Sequence, residues 1–170
     1  MKIEPKRGDK VMKLKSVRLV KYRCFADTEI ELDGHITLLV GKNGAGKTAI
    51  LDAVSVSVST FLLGIDGGVS RSILKDDARY EFHDLNGTID PQHQFPVSIE
   101  SIGDCLDQKN VKWIRSLNSE SGKTTIKDAG ELTDLAKKVQ NQIMTGDKSL
   151  ILPLISYYGT GRLYAQKREI

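Results

Sequence analysis

Cysteine and histidine are scarce in this 170-residue chain, which has two of the first and three of the second. Cys24 and Cys105 lie far apart and set up neither a disulfide framework nor a zinc pattern. His35, His83 and His93 stand at no metal-ligand spacing to one another or to the cysteines. No apolar run reads as long enough to span a membrane, and no signal peptide is visible. The expected setting is therefore reducing and cytoplasmic, with no membrane partner. Internal repeats and low-complexity stretches are also missing. What remains is 39% hydrophobic and 28% charged, enough apolar content for a core and too much for disorder. The length predicts one domain or one large lobe.

The formal net charge is +3, but it is unevenly spread. Residues 1–23 carry nine Lys/Arg against Glu4 and Asp9. Residues 1–11 have no apolar period and read as a flexible basic lead-in, and Met12 opens an ordered pattern. Lys13, Lys15, Arg18 and Lys21 form a basic stripe that reads either as a solvated face or as a DNA-facing one.

Periodicity then sets the elements. Residues 14–22 and 27–32 alternate, as half-buried strands do. Asp33-Gly34 predicts a hairpin turn. The run 36–40 (ITLLV) is continuously apolar, the pattern of a strand buried on both faces. Residues 46–63 read as a helix, with Gly64 as its stop. Residues 64–94 are weakly periodic and read as loop with short elements. Residues 95–102 and 111–117 read as antiparallel strands joined near 107–110, with 123–126 as a third. Residues 131–144 form the clearest amphipathic helix, with Asp128 and Glu131 as a capping-box variant and Gly146 as its end. The run 150–158 reads as a second buried strand, interrupted by Pro153 and closed by Gly159-Thr160-Gly161. The last residues read as the start of a further helix.

One motif carries chemistry. Gly41-Lys42-Asn43-Gly44-Ala45-Gly46-Lys47-Thr48 is G-x-x-x-x-G-K-T, between a predicted buried strand and a predicted helix. Its glycines allow positive φ and close approach to phosphate. Its backbone N–H groups converge on a phosphate at the positive end of the following helix. Lys47 supplies charge to the β- and γ-phosphates, and the Thr48 hydroxyl completes a Mg²⁺ shell. Asn43 either reaches the γ-phosphate or serves the turn alone. The expected cofactors are ATP and Mg²⁺. A GTPase is excluded by the lack of an N-K-x-D motif, since the D-x-x-G match at residues 84–87 falls in the irregular stretch. A small P-loop kinase fits the length, although some 20 residues of paired strands precede the loop, where such kinases start with the P-loop strand itself.

Residues 21–25 (KYRCF) and 31–54 (ELDGHITLLVGKNGAGKTAILDAV) resemble the N-terminus of the RecF/SMC/OLD branch of ABC-class ATPases. Those chains have a short strand, an N-[FY]-[RK]-x-[FY]-like step, a second strand, then G-x-N-G-[AS]-G-K-[ST] and hydrophobic-Leu-[DE]-Ala. Asn43 and Leu51-Asp52-Ala53 fit, whereas Lys21 replaces the usual Asn and Ala49 stands where Asn is common. Residues 152–162 (LPLISYYGTGR) are similar to a segment of Septu-type anti-phage ATPases, including retron-linked ones. The resemblance implies an α/β P-loop fold: the N-terminal lobe of an ABC-class head, with parallel core strands and an antiparallel β layer. Within 12–170, the antiparallel or insertion region would be 64–127, the helix 128–146, and the core strand with its Q-loop-like turn 150–165. Arg23 falls where the family places a nucleotide contact, and Arg162 at a phosphate or interlobe contact. Gln166 is either a displaced Q-loop Mg²⁺ ligand or a surface residue.

The Walker B Asp-Glu pair, signature motif and switch His of such heads have no match. Residues 62–66 imitate a Walker B strand and 119–122 a signature, each in the wrong place. The expectation is a lobe that binds Mg-ATP and hydrolyses it only with a C-terminal lobe absent here. Lys47 is its catalytic residue. Self-association through ATP, a nuclease partner and DNA are the expected partners, in genome maintenance or anti-phage defence. A nucleotide-gated scaffold that does not hydrolyse ATP is the alternative outside enzymes.

Overall fold

The computed structural model describes residues 12–85, 88–146 and 152–159. Alternation in the first segment produces β1 (Lys13–Tyr22), which turns at Arg23-Cys24 into β2 (Phe25–Glu31). Lys21 and Arg23 take φ of 52° and 49° there, conformations that non-glycine residues adopt only when their surroundings hold them. β5 (Val97–Cys105) and β6 (Gln108–Leu117) complete an antiparallel sheet in the order β2-β1-β5-β6. The register places Leu19 opposite Ile99 and Val97 opposite Leu117, and all four are fully buried.

Helix α1 (Lys47–Ser59) crosses the inner face of this sheet, setting Ala49, Ala53 and Val56 against Val17, Leu19, Tyr22 and Ile99. Ser57 is paired across the contact, while Ser55 and Ser59 donate back to helix carbonyls. The Ser57 and Ser101 hydroxyls share a hydrogen bond of 2.7 Å, and the Trp113 indole N–H donates to the Ser57 carbonyl at 3.1 Å. Small side chains let helix and sheet approach closely, and the pairing removes the cost of burying hydroxyls. A second core lies beyond a 3₁₀ turn at Thr60–Gly64, where helix α2 (Gly130–Met144) packs Leu132, Leu135, Ala136 and Val139 against Phe61, Val111 and Trp113. Buried Cys105 belongs to this cluster, and burial pushes its thiol up to about 11.

Several elements differ from the sequence reading. The run 36–40 is extended but joins no strand among the described residues, with Ile36, Leu38 and Val40 each more than 80% exposed. The 150–158 run behaves alike where it is described: Leu154 is 95% exposed. Continuous apolarity encodes burial, but burial needs neighbours on both faces, and the described residues leave Ile36, Leu38, Val40 and Leu154 uncovered. Asp33-Gly34 makes a local turn, the Asp33 carboxylate accepting the His35 and Ile36 N–H groups, without closing a hairpin. The irregular stretch contains a hairpin of β3 (Tyr80–Leu85) and β4 (Thr88–His93), its polar residues having masked the alternation. Residues 123–126 form no strand, although Thr125 N–H bonds the Ser116 carbonyl. Helix α2 begins after a 3₁₀ turn with Ala129 at its cap, so Asp128 and Glu131 form no capping box. Cys24 is exposed. By length and composition Lys47–Gly64 would reach across a membrane, contrary to the reading of the bare sequence, but here it lies on the sheet as a core helix.

Gly64 acts by proximity to α2. A Cβ there would lie 2.3 Å from the Thr133 carbonyl oxygen and 2.6 Å from Ala136 Cβ. Gly64→Ala is therefore expected to destabilise the protein by about 1–3 kcal/mol, as overpacking does. Gly34→Ala, whose Cβ meets nothing within 4 Å, should stay within about 0.5 kcal/mol. Urea denaturation of both variants checks this.

Candidate functional site

The Gly41–Thr48 loop ends on the N-terminus of α1. Gly44 and Gly46 have φ of 84° and 87°, the left-handed conformation that makes glycine the residue of choice. Gly46 is the N-cap, and no side chain covers the first N–H groups of the helix. No acidic residue stands in the first turn, so the positive end of the helix is left uncompensated. Gly46 has a second role, since a Cβ there would sit 2.6 Å from Phe25 Cζ and 2.7 Å from Cys24 Sγ. The β1–β2 turn thus presses directly on the loop. Lys47 arches back over it, its ammonium donating to the Gly41 and Lys42 carbonyls at 2.6 and 2.7 Å. Asn43, Gly44, Gly46, Lys47, Thr48 and Ala49 line an open concavity, with Thr48 exposed at its edge. Ala45 N–H bonds the Lys42 carbonyl. Ala49 is 6% exposed and packs into the core, so only its backbone is available to a ligand.

A charge network stands behind the loop. Asp52, one turn along α1 from Thr48, accepts the Arg23 Nη1 at 2.7 Å, the Arg71 Nη1 at 3.3 Å and the Tyr157 hydroxyl at 2.5 Å. Arg23 Nε reaches Asp77 Oδ1 at 2.8 Å, and its backbone N–H bonds the Asp77 carbonyl. Arg71 also donates to Ser55 and lies over the Tyr157 ring at 4.7 Å. Burial works against the charge on Asp52, but the Tyr157 hydroxyl, Arg23 and Arg71 outweigh it and hold the carboxyl below its usual range.

The structure brings every predicted loop residue from Gly41 to Ala49 into one site and sets Arg23 beside it, on Asp52 and Asp77. Thr160, Arg162 and Gln166 lie outside the described residues. Among the described residues no group of three or more His, Cys, Asp or Glu is placed to hold a metal. Sequence reasoning did not single out Arg71 or Asp77, and it weighed Tyr157 only as a packing residue against a base-stacking platform. The signal for the network was Asp52 in the Leu-Asp-Ala step, which carries no hint of its partners. Two members of the basic stripe are ion-paired, Lys15 with Asp104 at 2.6 Å and Arg18 with Asp27 at 2.6 Å, while Lys21 donates to the Phe95 carbonyl.

The Asp52 network makes stability depend on pH. A carboxyl whose pKa falls on folding contributes above its unfolded value, near 3.9 for Asp, and loses that contribution as pH drops through the folded value. Asp52→Asn is expected to cost about 1–3 kcal/mol at neutral pH, with the difference from wild type shrinking below about pH 4. Thermal melts from pH 3 to 7 test this, and a pH-independent difference would contradict it.

Comparison with known proteins agrees with this geometry. The AAA domain family matches residues 16–170. RecF, the DNA replication and repair protein, is 49% identical over 43 residues in Clostridioides difficile, covering 25% of this chain and 12% of that one. RecF of Mannheimia succiniciproducens is 28% identical over 134 residues, 77% of this chain and 32% of that one. The DNA double-strand break repair Rad50 ATPase of Archaeoglobus fulgidus is 43% identical over 44 residues, 26% of this chain and 5% of that one. The chain thus spans about a third or less of the length of these curated relatives. A solved structure from work on ATP-driven dimerization and DNA-stimulated activation of SMC ATPases aligns at 18% identity and a TM-score of 0.46, over 73% of this chain and 79% of that one. With a glycine-rich loop on a helix N-terminus and a family match over residues 16–170, the chain belongs to the AAA domain family and has an α/β P-loop ATPase fold.

Proposed function

We propose that this chain is the Mg-ATP-binding lobe of an SMC/RecF-like ATPase. The observation that carries the reading is the Lys47 ammonium, held over a glycine loop whose helix presents uncovered N–H groups. On binding, Lys47 exchanges the Gly41 and Lys42 carbonyls for β- and γ-phosphate oxygens. The N–H groups of residues 44–48 take the β-phosphate, at the end of the helix where an anion is favoured. Asn43 stands on the γ-phosphate side. The Thr48 hydroxyl would hold Mg²⁺ together with the phosphates, and the ion would supply neutralising charge. Arg23, fixed by Asp52 and Asp77, is positioned for the adenine or α-phosphate side.

Hydrolysis would be attack of water on the γ-phosphate, with Lys47 and the loop amides stabilising the developing charge. The base and the signature motif belong, in this reading, to a further lobe. The two apolar runs support it, because Ile36, Leu38, Val40 and Leu154 are exposed apolar side chains that a further lobe would cover. The RecF and Rad50 relatives favour action on DNA in genome maintenance, in a reducing cytoplasmic setting, with self-association through ATP and a nuclease as further partners. The run 152–162 is what supports an anti-phage role.

Calorimetric titration with Mg-ATP tests the reading. Lys47→Ala should weaken binding at least ~10-fold, equivalent to about 1.4 kcal/mol, with an unchanged circular dichroism spectrum. Equal affinity in the two proteins would refute it.

A further inference from the structure

Arg115 is an arginine out of place. It lies on β6, 2% exposed, and among the described residues it forms no ion pair. Its bonds go to neutral oxygens: Nε to the Thr125 carbonyl at 2.8 Å, and Nη1 to the Thr60 hydroxyl at 3.1 Å and the Ser70 hydroxyl at 3.4 Å. The Thr60 hydroxyl already donates to the Val56 carbonyl, so it can meet Arg115 only as an acceptor. A guanidinium has five N–H donors, and the two on Nη2 find no acceptor among the described residues. A buried cation without a counter-charge is costly, and burial accordingly lowers the Arg115 pKa.

The same guanidinium lines a cleft between residues 68–75 and 120–126. Ser70, Ser72, Lys75 and Lys123 share its walls. Glu120 is the carboxylate among its lining residues, and it is ion-paired with Lys75 at the exposed end. Three cations therefore face one acid, and Lys123 has no ion-pair partner among the described residues. The cleft is separate from the Gly41–Thr48 loop. Thr60 follows the C-terminal end of α1, and thirteen helical residues put it about 20 Å from Lys47.

We propose that this cleft binds a phosphate group, with the free edge of Arg115 and the Lys123 ammonium as its charged contacts and the Ser70 and Ser72 hydroxyls beside them. Planar N–H donors suit two oxygens of one tetrahedral anion, and the ligand supplies the counter-charge that Arg115 lacks. The proposal does not depend on ATP binding at the P-loop.

Nuclear magnetic resonance of the full chain, labelled with ¹⁵N, tests it. Inorganic phosphate and ribose 5-phosphate are titrated separately in the Lys47→Ala background, and the Arg115 Nε–Hε resonance is followed. A saturable shift is expected. Lys123→Glu, a change in a residue lining the cleft, should weaken it about 5–10-fold, the effect of replacing an attractive charge by a repulsive one beside the anion. Tighter binding of ribose 5-phosphate would identify a phosphate carried on a larger molecule, and tighter inorganic phosphate a free one. An Arg115 resonance that neither probe moves, or that moves equally in Lys123→Glu, would show that water alone serves Nη2 and would overturn the proposal.

Discussion

The β1–β2 turn grips the start of α1 in two ways, and the geometry of the phosphate loop depends on both. Cys24 and Phe25 fill the space a side chain at Gly46 would need, so the loop rests on the turn. Arg23, in a strained left-handed conformation, reaches past this contact to Asp52 on the helix and Asp77 on the following segment. Breaking a buried pair costs about 3–5 kcal/mol, and Arg23, one third exposed, should give less. That is still enough to hold its backbone in a conformation costing about 1–3 kcal/mol. The strain of the turn and the rigidity of the loop are thus one arrangement, with Asp52 as its hinge.

The rest of the lobe is organised around α1. Its C-terminal half binds the sheet through serines and Trp113, and its extension leads into the α2 contact at Gly64. The phosphate end stays open, while the far end is packed against two layers. A loop meant to receive a highly charged ligand gains from this division, because little needs reorganising when the ligand arrives. Tyr157 connects the 152–159 segment to the same Asp52, so an otherwise exposed run is tied to the helix that carries the loop.

The glycine loop and the helix it opens were legible in the sequence because the pattern is local: glycines at fixed spacing, then Lys-Thr, then a helix. The amphipathic α2 and the β5–β6 pair were legible for the same reason, their periods lying within single segments. What failed to show was relational. Arg71 and Tyr157 matter through Asp52, 19 and 105 residues away, and Asp77 matters through Arg23, 54 residues away; no periodicity encodes such meetings. The β3–β4 hairpin was hidden by Glu81, His83, Asp84 and Asp90, since a two-stranded ribbon with wet faces has no apolar alternation. The runs at 36–40 and 152–158 gave a true signal of apolarity but an incomplete one of structure, because burial depends on neighbours that neither segment contains.

Hydrogen–deuterium exchange with and without Mg-ATP tests the central claim most directly. If the loop and the α1 N-terminus form a site held ready by the β1–β2 turn, nucleotide should protect the amides of residues 44–49 and leave the β5–β6 ladder unchanged. Absence of protection at 44–49, or protection spread evenly over the sheet, would contradict the account.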